Sequence, residues 1–184
     1  MKSSIALAVF LGAAAAAGAL AAPPHVHGVA TLDVVVSADT LQLSLDSPLD
    51  NLVGFEHAPA DAKQLQAIRE MARRFSQPES LFAPSAAARC VVKSVQLSSP
   101  VIDPKLLAMD GVTAAPPAAS HEEEGHADLD AQIVFRCERP GELKRLEAKM
   151  FSAFPGLRQL DAQIVTPSRQ SAATLTAKSN AISF

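Results

Sequence analysis

Residues 27–48 read HGVATLDVVVSADTLQLSLDSP, and this stretch decides the fold. Ala30, Leu32, Val34 and Val36 fall on one face, with Thr31, Asp33 and His27 on the other. Beyond a Ser-Ala-Asp-Thr turn, Leu41, Leu43 and Leu45 repeat the pattern. A period of two over both arms places one face in a core and the other in water, which predicts a β-hairpin. Pro48 has no N–H to give to a ladder and should end the second arm.

The same alternation recurs along the chain. CVVKSVQLSS at 90–99 reads as a third strand. Leu129, Ala131, Ile133, Phe135 and Cys137 share a face, opposite Asp128, Asp130 and Gln132. RQLDAQIVTPS and QSAATLTA predict a last pair of strands. Helical spacing appears over 60–76, where Leu65, Ile68, Met71 or Ala72, and Phe75 align, Asp61 can cap the start, and Arg73 and Arg74 suit the last turn. A second helix is expected over 141–154, burying Leu143, Leu146, Met150 and Phe154 and stopped by Pro155-Gly156. The connector SQPESLF is expected to hold one turn of helix. The order ββα, β, loop, βα, ββ predicts an α+β domain, a largely antiparallel sheet packed with two helices. The hexapeptide LDAQIV occurs at both 129–134 and 160–165. Diverging flanks favour two similar half-buried strands over a true duplication.

The chain has 184 residues. Its first 21, with Lys2, an apolar run from Ile5 to Leu20 and small residues at Ala19-Leu20-Ala21, read as a secretory signal peptide cleaved after Ala21 or Ala22, Ala21 preferred. The run is short for a spanning helix, and no second one follows, so the mature chain is expected not to span a membrane. About 163 residues remain for one domain, 22–184, with a net charge of about −4. A mildly acidic chain without a basic stripe is not expected to bind nucleic acid. Trp and Tyr are absent, so Phe alone supplies the aromatic core. In an exported chain the only cysteines, Cys90 and Cys137, are most simply one disulfide. It would close a loop of roughly 48 residues, for which chain entropy suggests about 4 kcal/mol. The rival use of this pair is metal ligation. Residues 100–126, rich in Pro and Ala and ending in HEEEGH, are expected to form a long flexible loop.

All five histidines, His25, His27, His57, His121 and His126, lie outside positions that the periodicity marks as core. Neutral imidazole is a common ligand for zinc, copper or nickel. His25 and His27 point the same way if extended. His57 follows Glu56 on a turn between Gly54 and Pro59. His121 and His126 bracket three glutamates. Each segment alone reads as solvated, or as capping for His57. Together they supply the four or so donors of a tetrahedral site. No HExxH, GxSxG or SxxK motif is present, and catalysis is not expected.

HVHGVATLDVVV, SPLDNLVGFEHAP, EEEGHADLDAQIVFRC and MFSAFPGLRQLDAQIVTPSRQSAATLT resemble the ZrgA-type periplasmic zinc-binding protein family. The likeness spans nearly the whole mature chain. It implies export to the periplasm and a non-catalytic role in zinc uptake beside an ABC-type or outer-membrane importer. The positions it carries over as ligands for zinc, or another divalent metal, are His25, His27, His57 and His126, with His121 in the family's histidine-rich loop. Relatives carry denser His/Glu/Asp runs there than HEEEGH. A different reading is a transporter-contacting accessory subunit whose histidines are incidental.

Overall fold

The computed structural model describes residues 26–116 and 127–184. The expected signal peptide, His25, and the loop segment with His121 and His126 lie outside the described residues. The hairpin forms as expected, with β1 at Val29–Ser37 and β2 at Thr40–Pro48. Val34 faces Leu43 and Leu32 faces Leu45 across it. Then come α1 (Leu49–Val53), α2 (Ala62–Phe75), β3 (Phe82–Pro84) and β4 (Cys90–Ser98). They are followed by α3 (Pro104–Leu107), β5 (Thr113–Ala114), β6 (Asp128–Cys137) and β7 (Arg145–Ala148). The chain continues through α4 (Met150–Ala153), β8 (Gln159–Thr166), β9 (Arg169–Thr176) and β10 (Ala181–Ser183).

Seven strands make one sheet in the order β5-β4-β6-β2-β1-β8-β9. Its pairings are antiparallel except β1 with β8 and β4 with β5. The fold is thus α+β with a large, mostly antiparallel sheet. The two LDAQIV copies flank the hairpin, in β6 beside β2 and in β8 beside β1. In both copies Leu, Ala and Ile are buried, so one inward row runs Leu97, Ala131, Leu45, Leu32, Ala162.

Helix α2 packs over this core with Ile68, Met71, Ala72 and Phe75 buried. Asp61 caps it by accepting the Gln64 N–H at 2.8 Å, and Gln64 in return accepts the Ala60 N–H. Phe75 stacks on Phe154 at 5.8 Å between centroids.

The helix expected over 141–154 does not form. A 3-10 turn at Pro140–Glu142, strand β7 and the single turn α4 take its place. Leu143, Leu146, Met150 and Phe154 are buried as expected. Their spacing suits a helix, but β3 and β10 pair with β7 from either side and decide the matter by backbone hydrogen bonding. The loop expected from residue 100 is also more ordered than its composition suggests. Asp103 caps α3, β5 extends the sheet, and Ile102, Leu107 and Val112 are buried. The turn expected in SQPESLF is the 3-10 segment Pro78–Ser80.

Candidate metal centre at the hairpin opening

The three motif segments of the first, second and last parts of the chain converge where β1 begins. Asn51 is the pivot and is 2% exposed. Its side-chain oxygen accepts the Gly28 N–H, and its amide donates to Val29 O at 2.9 Å and Ser47 Oγ at 3.3 Å. Gly28 has φ +87°, a conformation that disfavours any side chain. A Cβ there would also lie 2.3 Å from Arg158 Nε. Arg158 packs on the bare glycine and donates from Nη2 to His27 O at 2.8 Å. The backbone N–H groups of Arg158 and Gln159 both reach Gly28 O. Gly156 makes the other close approach, since a Cβ on it would stand 2.6 Å from Asn51 O. The HxHG, NxxGFEHAP and PGLR segments therefore share one interlocked joint.

That joint fixes the His27 backbone while leaving its side chain half exposed, at 52%. His27 Nε2 lies 2.9 Å from Glu56 Oε1, and His27 Nδ1 lies 3.8 Å from Asp50 Oδ2. The Glu56 side chain is only 11% exposed, against 38% for Asp50. Asp50 stands in the first turn of α1. That turn is tied down by Leu49 N–H to Ala127 O and by Gly54 N–H to Asp50 O, both near 3 Å.

His57 is placed by local contacts. Its Nδ1 is 2.8 Å from the Ala58 carbonyl and its ring is 5.2 Å from Phe55. A carbonyl only accepts, so Nδ1 carries the proton and Nε2 keeps its lone pair, the form that binds a metal. Glu56 brings this turn onto His27, so the FEH and HVH segments lie together. His25, His121 and His126 fall outside the described residues. Among the described residues, no three His, Cys, Asp or Glu side chains already stand as a ligand set. Cys90 and Cys137 face each other across β4 and β6 and form the expected disulfide, which removes them as thiolate ligands.

Sequence reasoning names Glu56 but not Asp50, and quotes the Asn51 and Arg158 segments without their roles. The only available signal was the unusual invitation of HxHG, a glycine directly after a candidate ligand. Away from the joint, the outward face of the sheet carries Asp130, whose carboxyl is pushed up by burial, a rise that the Ser98 hydroxyl partly offsets. Its counterpart in the second hexapeptide, Asp161, accepts from Thr174 Oγ1 at 2.9 Å and from Gln159 Nε2 at 3.1 Å.

Imidazoles and carboxylates gathered on a rigid backbone joint are the donor chemistry of proteins that bind divalent metals. The comparison with protein families agrees. Residues 24–184 match the family described as ZrgA family zinc uptake protein, and the chain belongs to it. No curated protein sequence matches the chain.

Proposed function

We propose that this protein binds zinc, or another divalent metal, in the periplasm as a carrier, scavenger or accessory of zinc uptake, without catalysing a reaction. The observation that carries the reading is His27 flanked by Asp50 and Glu56 on a joint that three distant segments build. The proposed donors are His25, His27, His57, His121 and His126. His25 is two residues from His27, and His126 is bonded to Ala127, whose carbonyl holds the start of α1.

Metal binding to the native state but not to the unfolded chain stabilises the fold by mass action. Acid releases the metal because its ligands must be deprotonated. A leader of 21 residues and one domain over 22–184 complete the reading; the family match begins at residue 24. Among the described residues no helix is long and apolar enough to cross a membrane. The partner is an ABC-type or outer-membrane zinc importer.

Competition titration with a chromophoric chelator tests this. Wild type should outcompete the His25/His27/His57/His126→Ala variant for zinc. Equal, weak binding by both would show the histidines to be incidental, leaving a transporter-contacting subunit as the better account.

A further inference from the structure

We propose that the outer edge of β9 is a self-association surface, where two copies of this chain join as an antiparallel pair of strands centred on Ala172. The inference does not depend on the metal reading above.

The large sheet ends at β5 on one side and at β9 on the other. A strand edge presents a row of N–H and C=O groups with which a further strand can pair. The β4–β5 side is blunted in the ways proteins use. β5 covers Gln96 and Leu97, and the β4 ladder is interrupted between Val92 and Ser94, where Lys93 stands exposed. β9 has none of these devices. It keeps an unbroken register with β8 from Arg169 to Thr176 and contains no Pro, Lys, Asp or Glu. Its one charge, Arg169, is turned back on its own chain, where Nη2 donates to Ser183 O at 2.8 Å. Among the described residues no strand pairs with its far side.

The hydrogen-bond phase of β9 fixes which groups are on offer. In an antiparallel pair, alternate residues turn both backbone groups towards the partner strand and the others turn both away. Thr176 N–H donates to Ser179 O and Thr176 O accepts the Ser179 N–H, both at 3.0 Å, so Thr176 belongs to the outward set. Gln170, Ala172 and Thr174 share its phase, while the groups of Ser171, Ala173 and Leu175 are used by β8. The turn closes Thr176, which leaves Gln170, Ala172 and Thr174 open. Ala172 is the midpoint of that set. A two-fold axis there sets Ala172 against itself and Gln170 against Thr174 of the second copy. Each bonded pair exchanges two N–H···O bonds, so about six form and every open group is matched. Moving the axis to Ala173 would set Gln170 against the closed Thr176, and moving it to Ser171 would set Thr174 against Ser168, outside the strand. An edge symmetric about one residue fits its own copy, the self-complementary contact of a two-fold dimer.

The side chains allow this register. Arg169 would face Leu175 and Ser171 would face Ala173, so no like charges oppose. Asp161 of the two copies would stand three strand spacings apart, roughly 14 Å, beyond the screening length of about 8 Å at physiological ionic strength.

Sedimentation velocity of the purified protein over a concentration series reads the association, and the wild type should shift from monomer to dimer. Only a residue on the two-fold faces itself. Ala172→Lys and Ala172→Glu should therefore each weaken association about tenfold, and their equimolar mixture should recover it. Amide exchange gives a second reading: on concentrating the wild type, the N–H groups of Gln170, Ala172 and Thr174 should slow while those of Ser171, Ala173 and Leu175 stay unchanged. A wild type that remains monomeric throughout would overturn the proposal and leave the edge to an extended strand of a different protein. A dimer indifferent to both charged variants, a mixture that fails to associate, or protection elsewhere than at these three amides would overturn it as well.

Discussion

His27 and His57 carry the same side chain and are held in opposite ways. The backbone of His27 is gripped from three directions, by Arg158 on its carbonyl and by Asn51 and Arg158 around the next residue. His57 sits on a turn whose contacts come from residues one or two positions away. The first is set by tertiary structure and the second by its neighbours in sequence. In the proposed metal site His27 would be the fixed member that defines where the ion goes, and His57 the local member that adjusts to it.

Breaking the grip is expected to cost most. Asn51→Ala leaves Gly28 N–H and Val29 O without their partner in a buried setting, and should lower unfolding free energy by about 2–4 kcal/mol in urea titration. A loss below about 1 kcal/mol would mean that water replaces the amide. Next comes a paired glycine test. Gly28→Ala must tolerate a positive φ and displace the Arg158 guanidinium, whereas Gly54→Ala near His57 has the same φ problem and open space around it. The first should cost about 2–3 kcal/mol and the second about 1 kcal/mol. Equal losses would show that Arg158 moves aside freely.

Arg158→Ala should then separate the histidines functionally. Zinc affinity should fall about tenfold, as for loss of a supporting contact, with little change at His57 by NMR. Similar perturbation of both rings would erase the contrast between them.

The smallest effect serves as a control on a carboxylate of the sheet's outer face. Burial raises the Asp130 carboxyl in the native state, so its contribution to stability is complete below the unfolded carboxylate range and declines as pH rises through the raised native value. Asp130→Asn removes that decline. The variant should match wild type in acid and become slightly more stable towards neutral pH, with zinc affinity unchanged. A gap that opens on acidification instead would reverse the assigned sign.

The hairpin, β4, β6, β8, β9 and α2 were legible because each buries one face, and alternation or helical spacing records this directly. The stretch 141–154 was not. Its buried residues satisfy a helical template, while the strands that claim it lie at 82–84 and 181–183, beyond any local window. The site divides in the same way. His27, His57 and Glu56 announce themselves by residue type. Asp50 looks like an ordinary helix-start acid, and Arg158 reaches His27 across 131 residues, a relation no spacing rule expresses. The disulfide was readable from cysteine count alone, because two cysteines in an oxidising setting leave one pairing.

The parallel pairing of β1 with β8 has a consequence for how the molecule is made. β1 opens the described chain, and its partner arrives about 130 residues later. Until β8 is synthesised, β1 has one unpaired edge and His27 has no guanidinium on its carbonyl. Contacts of such long range form late in folding. A nascent or truncated chain ending before Arg158 would carry the HVHG and FEH motifs in full and yet leave His27 without its grip, so the proposed site would be complete only in the finished protein.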